Sequence, residues 1–285
     1  MARRTTFDEY AERYPDFALD LTDTGILTMR MHRDGGPAVW DSRTHRGISG
    51  LFNDIAGDRD VRVVIFTGTG DSFNANWSKG DVPASTSLSA EDAEELGWYG
   101  RKRHYNLLDI EAIMIAAVNG PVTIHSELAI MCDIVLASET AYFADHAHFV
   151  RNVAPGDGIH TIWPMVIGRN RFRYWQLTGQ EISAQTAMEW GAVNEVLPPE
   201  KLADRARELA EYLIRFSPLL LRHTRRTFVH DFKRAAVNDL SYAQSMELLG
   251  LTEFAALGGG MGGLDRAWDD PELWQGGAAT DWPRV

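Results

Sequence analysis

Residues 61–67 read Val61-Arg62-Val63-Val64-Ile65-Phe66-Thr67 and run into Gly68-Thr69-Gly70. The run is short, β-branched and almost wholly apolar, which suits a strand covered on both faces, and the glycines end it in a turn. Residues 113–118 (IMIAAV), closed by Asn119-Gly120, repeat the pattern, as do 132–138 (CDIVLAS) and 192–197 (AVNEVL). Residues 25–32 (GILTMRMH) differ. There Leu27, Met29 and Met31 fall on one side, with Thr28 and Arg30 on the other, the period of two of a half-buried strand. Helical stretches alternate with these runs. Residues 44–57 are amphipathic, and 90–110 form a long polar segment carrying Leu96, Leu107 and Leu108. In 202–215, Leu202, Ala206, Leu209, Ala210 and Leu213 make one stripe. Strands alternating with helices, then helices alone, predict an α/β fold with a helical C-terminal part.

The chain has 285 residues, room for one large domain or two small ones at roughly 150 residues each. That is enough to bury a full core without disulfide or metal staples. A net charge of −12 leaves no basic stripe for a phosphate backbone, so no nucleic-acid partner is expected. The one cysteine, Cys132, cannot form an intrachain disulfide, which fits a reducing cytoplasm. No apolar run approaches the roughly 18 residues of a membrane span, and no apolar stretch follows Arg3 and Arg4 as in a signal peptide. The expectation is a soluble cytoplasmic protein with no membrane partner. The sequence carries no internal repeat. Residues 82–90 (VPASTSLSA) read as a surface loop. The tail 257–285 combines a glycine stretch, Gly258 to Gly263, with Trp268, Trp274 and Trp282. It reads either as a segment docked on its own body or a neighbouring subunit, or as a disordered tail.

Several histidines stand near carboxylates. The densest cluster is Asp145-His146-Ala147-His148, followed by Pro155-Gly156-Asp157-Gly158-Ile159-His160. A His and an Asp from it would form a dyad in which the carboxylate fixes the imidazole tautomer and the ring takes a proton from water. The plainer alternative is a surface turn with solvated histidines. His146-x-His148, completed by Asp145, Asp157 or His160, could hold a metal, but no metal-ligand spacing is matched and none is expected. Trp40 and His45 flank the start of a helix, and each can donate a hydrogen bond to a ketone oxygen. Without that role, Trp40 is core and His45 a first-turn residue. His125 lies where a strand hands over to a short helix, and Glu247 sits in a helix beginning at about residue 236. Phosphate loops and nucleophile elbows are absent, and Gly258–Gly263 follows no strand.

Val64-Ile65-Phe66-Thr67-Gly68-Thr69-Gly70-Asp71-Ser72-Phe73, Ile115-Ala116-Ala117-Val118-Asn119-Gly120 and Cys132-Asp133-Ile134-Val135-Leu136-Ala137-Ser138-Glu139 resemble the crotonase (enoyl-CoA hydratase/isomerase) superfamily. Leu177-Thr178-Gly179-Gln180-Glu181-Ile182 and Gly191-Ala192-Val193-Asn194-Glu195-Val196 continue the resemblance in family order. It implies a crotonase-like ββα spiral over 1–200, a helical C-terminal trimerisation region over 201–256 and a tail over 257–285. It also implies a homotrimer or a dimer of trimers. After Asn119-Gly120, however, an ordinary crotonase has a glycine-rich stretch whose N–H groups hold a thioester oxyanion. Here Pro121-Val122-Thr123-Ile124-His125 stands instead, and side chains narrow the approach to the backbone.

Those departures resemble one branch, the oxocamphor hydrolases, which are β-diketone hydrolases that have abandoned CoA. The likeness rests on Gly120-Pro121-Val122-Thr123 with His125, on His148-Phe149 with Val153-Ala154-Pro155-Gly156-Asp157-Gly158 and His160, and on Trp40, His45 and Glu247. Residues 74–105 and the tail match that branch poorly. The resemblance implies retro-Claisen hydrolysis of a cyclic or bicyclic 1,3-diketone to a keto acid, with no cofactor and no metal. His148 would be the base, oriented by Asp157. Glu247 would place the water or pair with a histidine, and Trp40 and His45 would hold the ketone oxygens. His125 would fill the emptied thioester site or touch substrate. The alternatives are a CoA-thioester hydratase, isomerase or hydrolase, and a non-catalytic scaffold of the same fold.

Overall fold

The structure is a computed structural model and describes residues 4–78, 89–151 and 153–254. A helical turn, α1 (Phe7–Tyr10), precedes β1 (Phe17–Leu21), which pairs antiparallel with β2 (Ile26–Met31). The next passes share one plan. β2 is followed by a short β3 (Val39–Trp40) and α2 (Ser42–Gly57). β4 (Val63–Thr67) is followed by β5 (Asn76–Trp77) and α3 (Ala90–Asp109), and β6 (Ile113–Val118) by α4 (Glu127–Ile130). β7 (Ile134–Ser138) leads to β8 (Tyr142–Phe143) and α5 (Ile159–Ile167). Then come α6 (Arg169–Thr178), β9 (Ile182–Ser183), α7 (Ala184–Glu189) and β10 (Glu195–Leu197). α8 (Pro199–Leu213), α9 (Pro218–Phe228) and α10 (His230–Phe254) end the described chain.

The long strands form one sheet in the order β1-β2-β4-β6-β7-β10, parallel throughout except for the β1–β2 pair. The short strands build a second wall. β3 pairs with β5, and single bridges run from Asn74 to Val122 and from Val122 to Phe143. Each pass therefore gives a long strand, a short second strand or bridge, and a helix: the expected ββα spiral. The repeat is geometric, because second strands of two residues leave no pattern in the sequence.

Alternation along the central strands fills two cores. Val64 and Phe66 pack with α2 on one face, and Val63 and Ile65 with α8 and α9 on the other. Strands buried on both faces are the reason these runs read as continuously apolar. β6 spans the expected residues, whereas the 132–138 run starts only at Ile134. Asp133 is taken up by the turn, its carboxylate accepting from Met114 N at 2.8 Å. α8 starts upstream of its apolar stripe because Pro199 is tolerated in a first helical turn, where its missing N–H has no partner to lose. α10 begins at His230 rather than near 236. Strand β1, with its alternating burial, was not anticipated. Of the segment 82–90, only Ser89 and Ala90 are described; the Ser89 hydroxyl caps α3 by accepting from Asp92 N at 3.0 Å. The tail 257–285, with its three tryptophans, lies outside the described residues. Among the described residues no helix is long and apolar enough to cross a membrane.

Arg225 pins α9 to the sheet layer. It is fully buried, donates from Nε to Ile110 O at 2.7 Å, and pairs through Nη1 with Asp133. Removing one partner of a buried pair strands the other charge, at a cost of about 3–5 kcal/mol. Arg225→Met is therefore expected to lose stability on that scale in urea unfolding. A loss under about 1 kcal/mol, the scale of a surface pair, would show that Asp133 is adequately satisfied without it.

Candidate active site

Trp40 ends β3, and Asp41 caps α2 by accepting from Thr44 N at 2.8 Å, which fixes His45 in the first helical turn. Trp40 is buried, with its ring edge-on to His45 at 5.7 Å and tilted over His125 at 4.4 Å. His125 occupies the loop between β6 and α4 with a left-handed backbone, φ 50°, a conformation unusual for a residue with a side chain. Its Nδ1 lies 2.9 Å from Asp157 Oδ2 and 3.1 Å from Glu127 Oε1. Trp40 and His45, expected on the ketone oxygens, and His125, expected to fill the emptied thioester site or touch substrate, are thus one cluster. Among the described residues, neither Trp40 Nε1 nor His45 Nδ1 meets an acceptor.

The second half of the site comes from the loop before α5 and from α10. His148 is buried, and its Nδ1 lies 2.8 and 2.9 Å from the two oxygens of Asp145. Gln176 on α6 also donates to Asp145 and holds that carboxylate in place. His148 Nε2 faces Asp157 Oδ1 at 3.3 Å and Glu247 Oε1 at 3.7 Å. The Asp157 Oδ1 approach is off the line of a hydrogen bond, and among the described residues both Oδ1 and Glu247 Oε2 are buried acceptors without a donor. This corrects one expectation. The structure brings His148, Asp157 and Glu247 together, but the carboxylate that orients His148 through Nδ1 is Asp145, not Asp157. The reason is chain geometry: Asp145 lies three residues before His148 on one tight loop, while Asp157 enters from across the site at Nε2.

Two glycines allow that entry. A side chain at Gly156 would strike the backbone of Ala243 and Cβ of Glu247, so glycine there lets α10 bring Glu247 in. Gly158 caps α5 with φ 117°, and a side chain there would run into the His104 ring. The Pro-Gly-Asp-Gly turn therefore aims Asp157 by close backbone approach on both sides.

Opposite charges are held close together and buried. Burial opposes charge on His148, but the Asp145 and Asp157 carboxylates outweigh it and hold the ring well above its ordinary value. His125 behaves alike: burial and Arg103 push it down, and Asp157 and Glu127 carry it above the ordinary value. Burial raises Asp157, but the His125 and His148 charges bring it well below the carboxylate range. Glu127 is likewise pulled down to about 2, chiefly by His125 against the cost of burial. Glu247 goes the other way, raised by burial and by the Asp157 charge.

Arg103, His104 and Glu127 were missed by sequence reasoning. Arg103 on α3 is fully buried. Its Nη1 lies 2.7 Å from His45 Nε2, and its Nη2 lies 3.1 Å from His125 Nδ1 and 3.6 Å from Asp157 Oδ2. Its guanidinium carbon stands over the Trp40 ring at 5.5 Å. His104 Nε2 is 3.2 Å from Glu127 Oε1. A signal existed: Gly97, Gly100, Arg103, His104, Leu107 and Leu108 form one helical stripe, and it is the buried one.

His125, Glu127 and Asp157, and also His148, Asp157 and Glu247, bring metal-ligand atom types within 4.8 Å of one another. In the first set the Arg103 guanidinium, with Nη2 3.6 Å from Asp157 Oδ2, already brings positive charge to the place an ion would take. The His146–His148 pair considered from sequence does not converge: His148 turns to Asp145, and His146 Nε2 lies 3.7 Å from Glu181. His160 stands outside both sets, with Nε2 against Thr161 Oγ1 at 2.8 Å.

A sequence model described as enoyl-CoA hydratase/isomerase matches residues 22–251. The carnitinyl-CoA dehydratase of Salmonella arizonae is 33% identical over 210 residues, covering 71% of this chain and 76% of that protein. Among solved structures, a β-diketone hydrolase from the cyanobacterium Anabaena sp. PCC 7120, bound to (S)-3-oxocyclohexyl acetic acid, superposes with a TM-score of 0.83 at 38% identity. The match covers 86% of this chain and 98% of that one. An enoyl-CoA hydratase/isomerase from Mycobacterium paratuberculosis superposes with a TM-score of 0.77 at 25% identity, covering 85% and 96% of the two chains.

Proposed function

The chain belongs to the enoyl-CoA hydratase/isomerase family, within the crotonase superfamily, and we propose that it is a β-diketone hydrolase cleaving a carbon–carbon bond of a cyclic or bicyclic 1,3-diketone. The observation that carries this reading is that Trp40 Nε1 and His45 Nδ1, which meet no acceptor among the described residues, belong to the cluster that Asp157 joins to the carboxylate-held His148. Donors take a ketone oxygen, and the histidine takes a proton from water. The molecule bound to the Anabaena hydrolase is a keto acid, the class of product this reaction gives.

In the proposed reaction His148 Nε2 accepts a proton from water as the oxygen attacks one carbonyl carbon. Asp145 keeps the ring's other proton on Nδ1, so Nε2 is the basic nitrogen. Asp157 Oδ1 and Glu247 flank that nitrogen as acceptors for the water's second hydrogen. The tetrahedral adduct collapses by breaking the bond to the central carbon, and the electron pair moves onto the second carbonyl as an enolate. The new carboxyl group keeps the water oxygen, and the proton held by His148 returns to the enolate carbon. The second carbonyl is the electron sink, so the chemistry calls for no redox cofactor and no metal.

Trp40 and His45 stabilise the charge that develops on oxygen. Losing one such donor costs about 10²–10³ in kcat, and Trp40→Phe keeps the ring while removing the N–H. It is expected to lower kcat on that scale, measured by diketone turnover. An unchanged kcat would remove Trp40 from the oxyanion role.

A pH profile follows from His148. A base must be neutral to act, and the Asp145 and Asp157 carboxylates hold this one well above 6.5 against the cost of burial. Activity is therefore expected to rise with pH along a limb whose midpoint lies above 6.5, in kcat/KM of the free enzyme. A limb centred below 6.5 would contradict His148 as the base.

A second reading, a CoA-thioester dehydratase or hydratase, has the carnitinyl-CoA dehydratase relatives in its favour. Against it stands the His125 side chain, tilted over Trp40, in the stretch where the resemblance to ordinary crotonases implies glycine. Assaying bicyclic diketones beside crotonyl-CoA separates the two: turnover of the diketone alone supports the proposal, and turnover of the thioester alone overturns it. The proposal includes a trimer or a dimer of trimers, supported by exposed Leu219, Phe228, Val237 and Leu249 along α9 and α10. Sedimentation of a monomer would contradict that part. It also includes a cytoplasmic location, supported by the single cysteine, Cys132, being buried.

A further inference from the structure

We propose that Arg103 is a positioning residue that fixes His45 as the Nδ1–H tautomer and so makes the open nitrogen of that ring a donor. The use of that donor on a ketone oxygen rests on the diketone reading above; the tautomer does not.

A guanidinium has five N–H donors and no acceptor. Arg103 Nη1 stands 2.7 Å from His45 Nε2, so Nε2 must present its lone pair. The proton of the neutral ring is then on Nδ1, the nitrogen that meets no acceptor among the described residues. A doubly protonated His45 would set N–H against N–H at that distance. The surroundings agree. Arg103 and His104 face His45 from α3, His125 from the loop before α4, and Asp157 from the loop before α5. Burial first, then the Arg103 and His125 charges, keep His45 well below its ordinary value, with only Asp157 opposing among its main neighbours.

Arg103 is itself fixed. Its second nitrogen, Nη2, lies beside His125 and Asp157, and its plane covers Trp40. One planar group thus holds two histidines and a carboxylate at set angles. Lysine, with one ammonium on a flexible stem, cannot span them. Without this anchor His45 could equally present Nδ1 as an acceptor, which would repel a carbonyl oxygen. The arginine therefore decides the sign of that wall of the site.

The test begins with the unmodified protein. Nitrogen-15 NMR of labelled histidine, with His45 assigned by its loss in His45→Gln, reads each ring nitrogen directly. The expected result is a protonated Nδ1 and a bare Nε2, unchanged between about pH 5 and 8, where an ordinary histidine titrates. A protonated Nε2, or a His45 that titrates in that window, overturns the proposal. Arg103→Lys and Arg103→Met extend the test. In whichever folds, His45 is expected to show mixed tautomers or to titrate in the window, and the pH profile is expected to gain a second acid limb. A variant that keeps the pure Nδ1–H form also overturns the proposal, and if neither folds the unmodified protein still decides. The two readings fail separately. Diketone turnover with an Nε2–H ring sinks the role of Arg103, whereas an Nδ1–H ring without diketone turnover sinks the function.

Discussion

Replacing His148 with alanine is expected to lower kcat for a 1,3-diketone by about 10²–10⁴, the contribution of a positioned general base. Among the described residues, His148 is the imidazole whose Nδ1 is held by a carboxylate while its Nε2 faces two further carboxylates. Removing the ring leaves Asp157 and Glu247 to polarise water. Asp157 is a poor base here, because the His125 charge that lowers it against the cost of burial remains in this variant, and Glu247 lacks a carboxylate-held imidazole's fixed lone pair at that position. Steady-state turnover with matched circular dichroism spectra is the check. Retention of more than about a tenth of kcat in a folded variant would place the base elsewhere, because even the weakest general base contributes about 10².

The second large effect is expected from Asp145→Asn, which the sequence alone would not have singled out over Asp157→Asn. An asparagine at 145 can turn its NH₂ towards His148 Nδ1, and the ring then carries its proton on Nε2, where the base must be bare. In a Ser-His-Asp triad this type of change costs about 10⁴ in kcat, and a loss approaching that scale is expected here. Asp145 is also first among the charges that raise His148, so the alkaline-shifted limb is expected to move down in this variant. Asp157→Asn should reduce turnover too, through the placement of water, while leaving the Nδ1 proton in position. Equal losses with no movement of the limb in Asp145→Asn would return the orienting role to Asp157.

What the sequence could and could not say follows from how each residue is held. The central strands were legible because burial on both faces makes them continuously apolar, and β6 was found to the residue. The ends of elements were not, where a side chain such as that of Asp133 competes for a backbone N–H. His148, Asp157, Glu247, Trp40, His45 and His125 do converge, although they come from four separate stretches of the chain. The choice between Asp145 and Asp157 was closed to sequence, since both are near enough in the chain and only the loop path decides which ring nitrogen each meets. Arg103 was hidden for a different reason. In Arg101-Lys102-Arg103-His104 a buried arginine looks like a solvated basic face, and only its phase with Gly97, Gly100, Leu107 and Leu108 gives it away. Glu127 lay in a segment read as a departure from the glycine-rich pattern, so its carboxylate went unremarked.

In the proposed reaction water is added across a carbon–carbon bond. The most direct measurement is turnover of a bicyclic 1,3-diketone in heavy-oxygen water, without added CoA or metal, followed by mass spectrometry of the product. The expected product is a keto acid heavier than the substrate by one water, with one heavy oxygen in its carboxyl group, and none formed by His148→Ala. No keto acid from any cyclic or bicyclic diketone, with a CoA thioester hydrated by the same preparation, would contradict it.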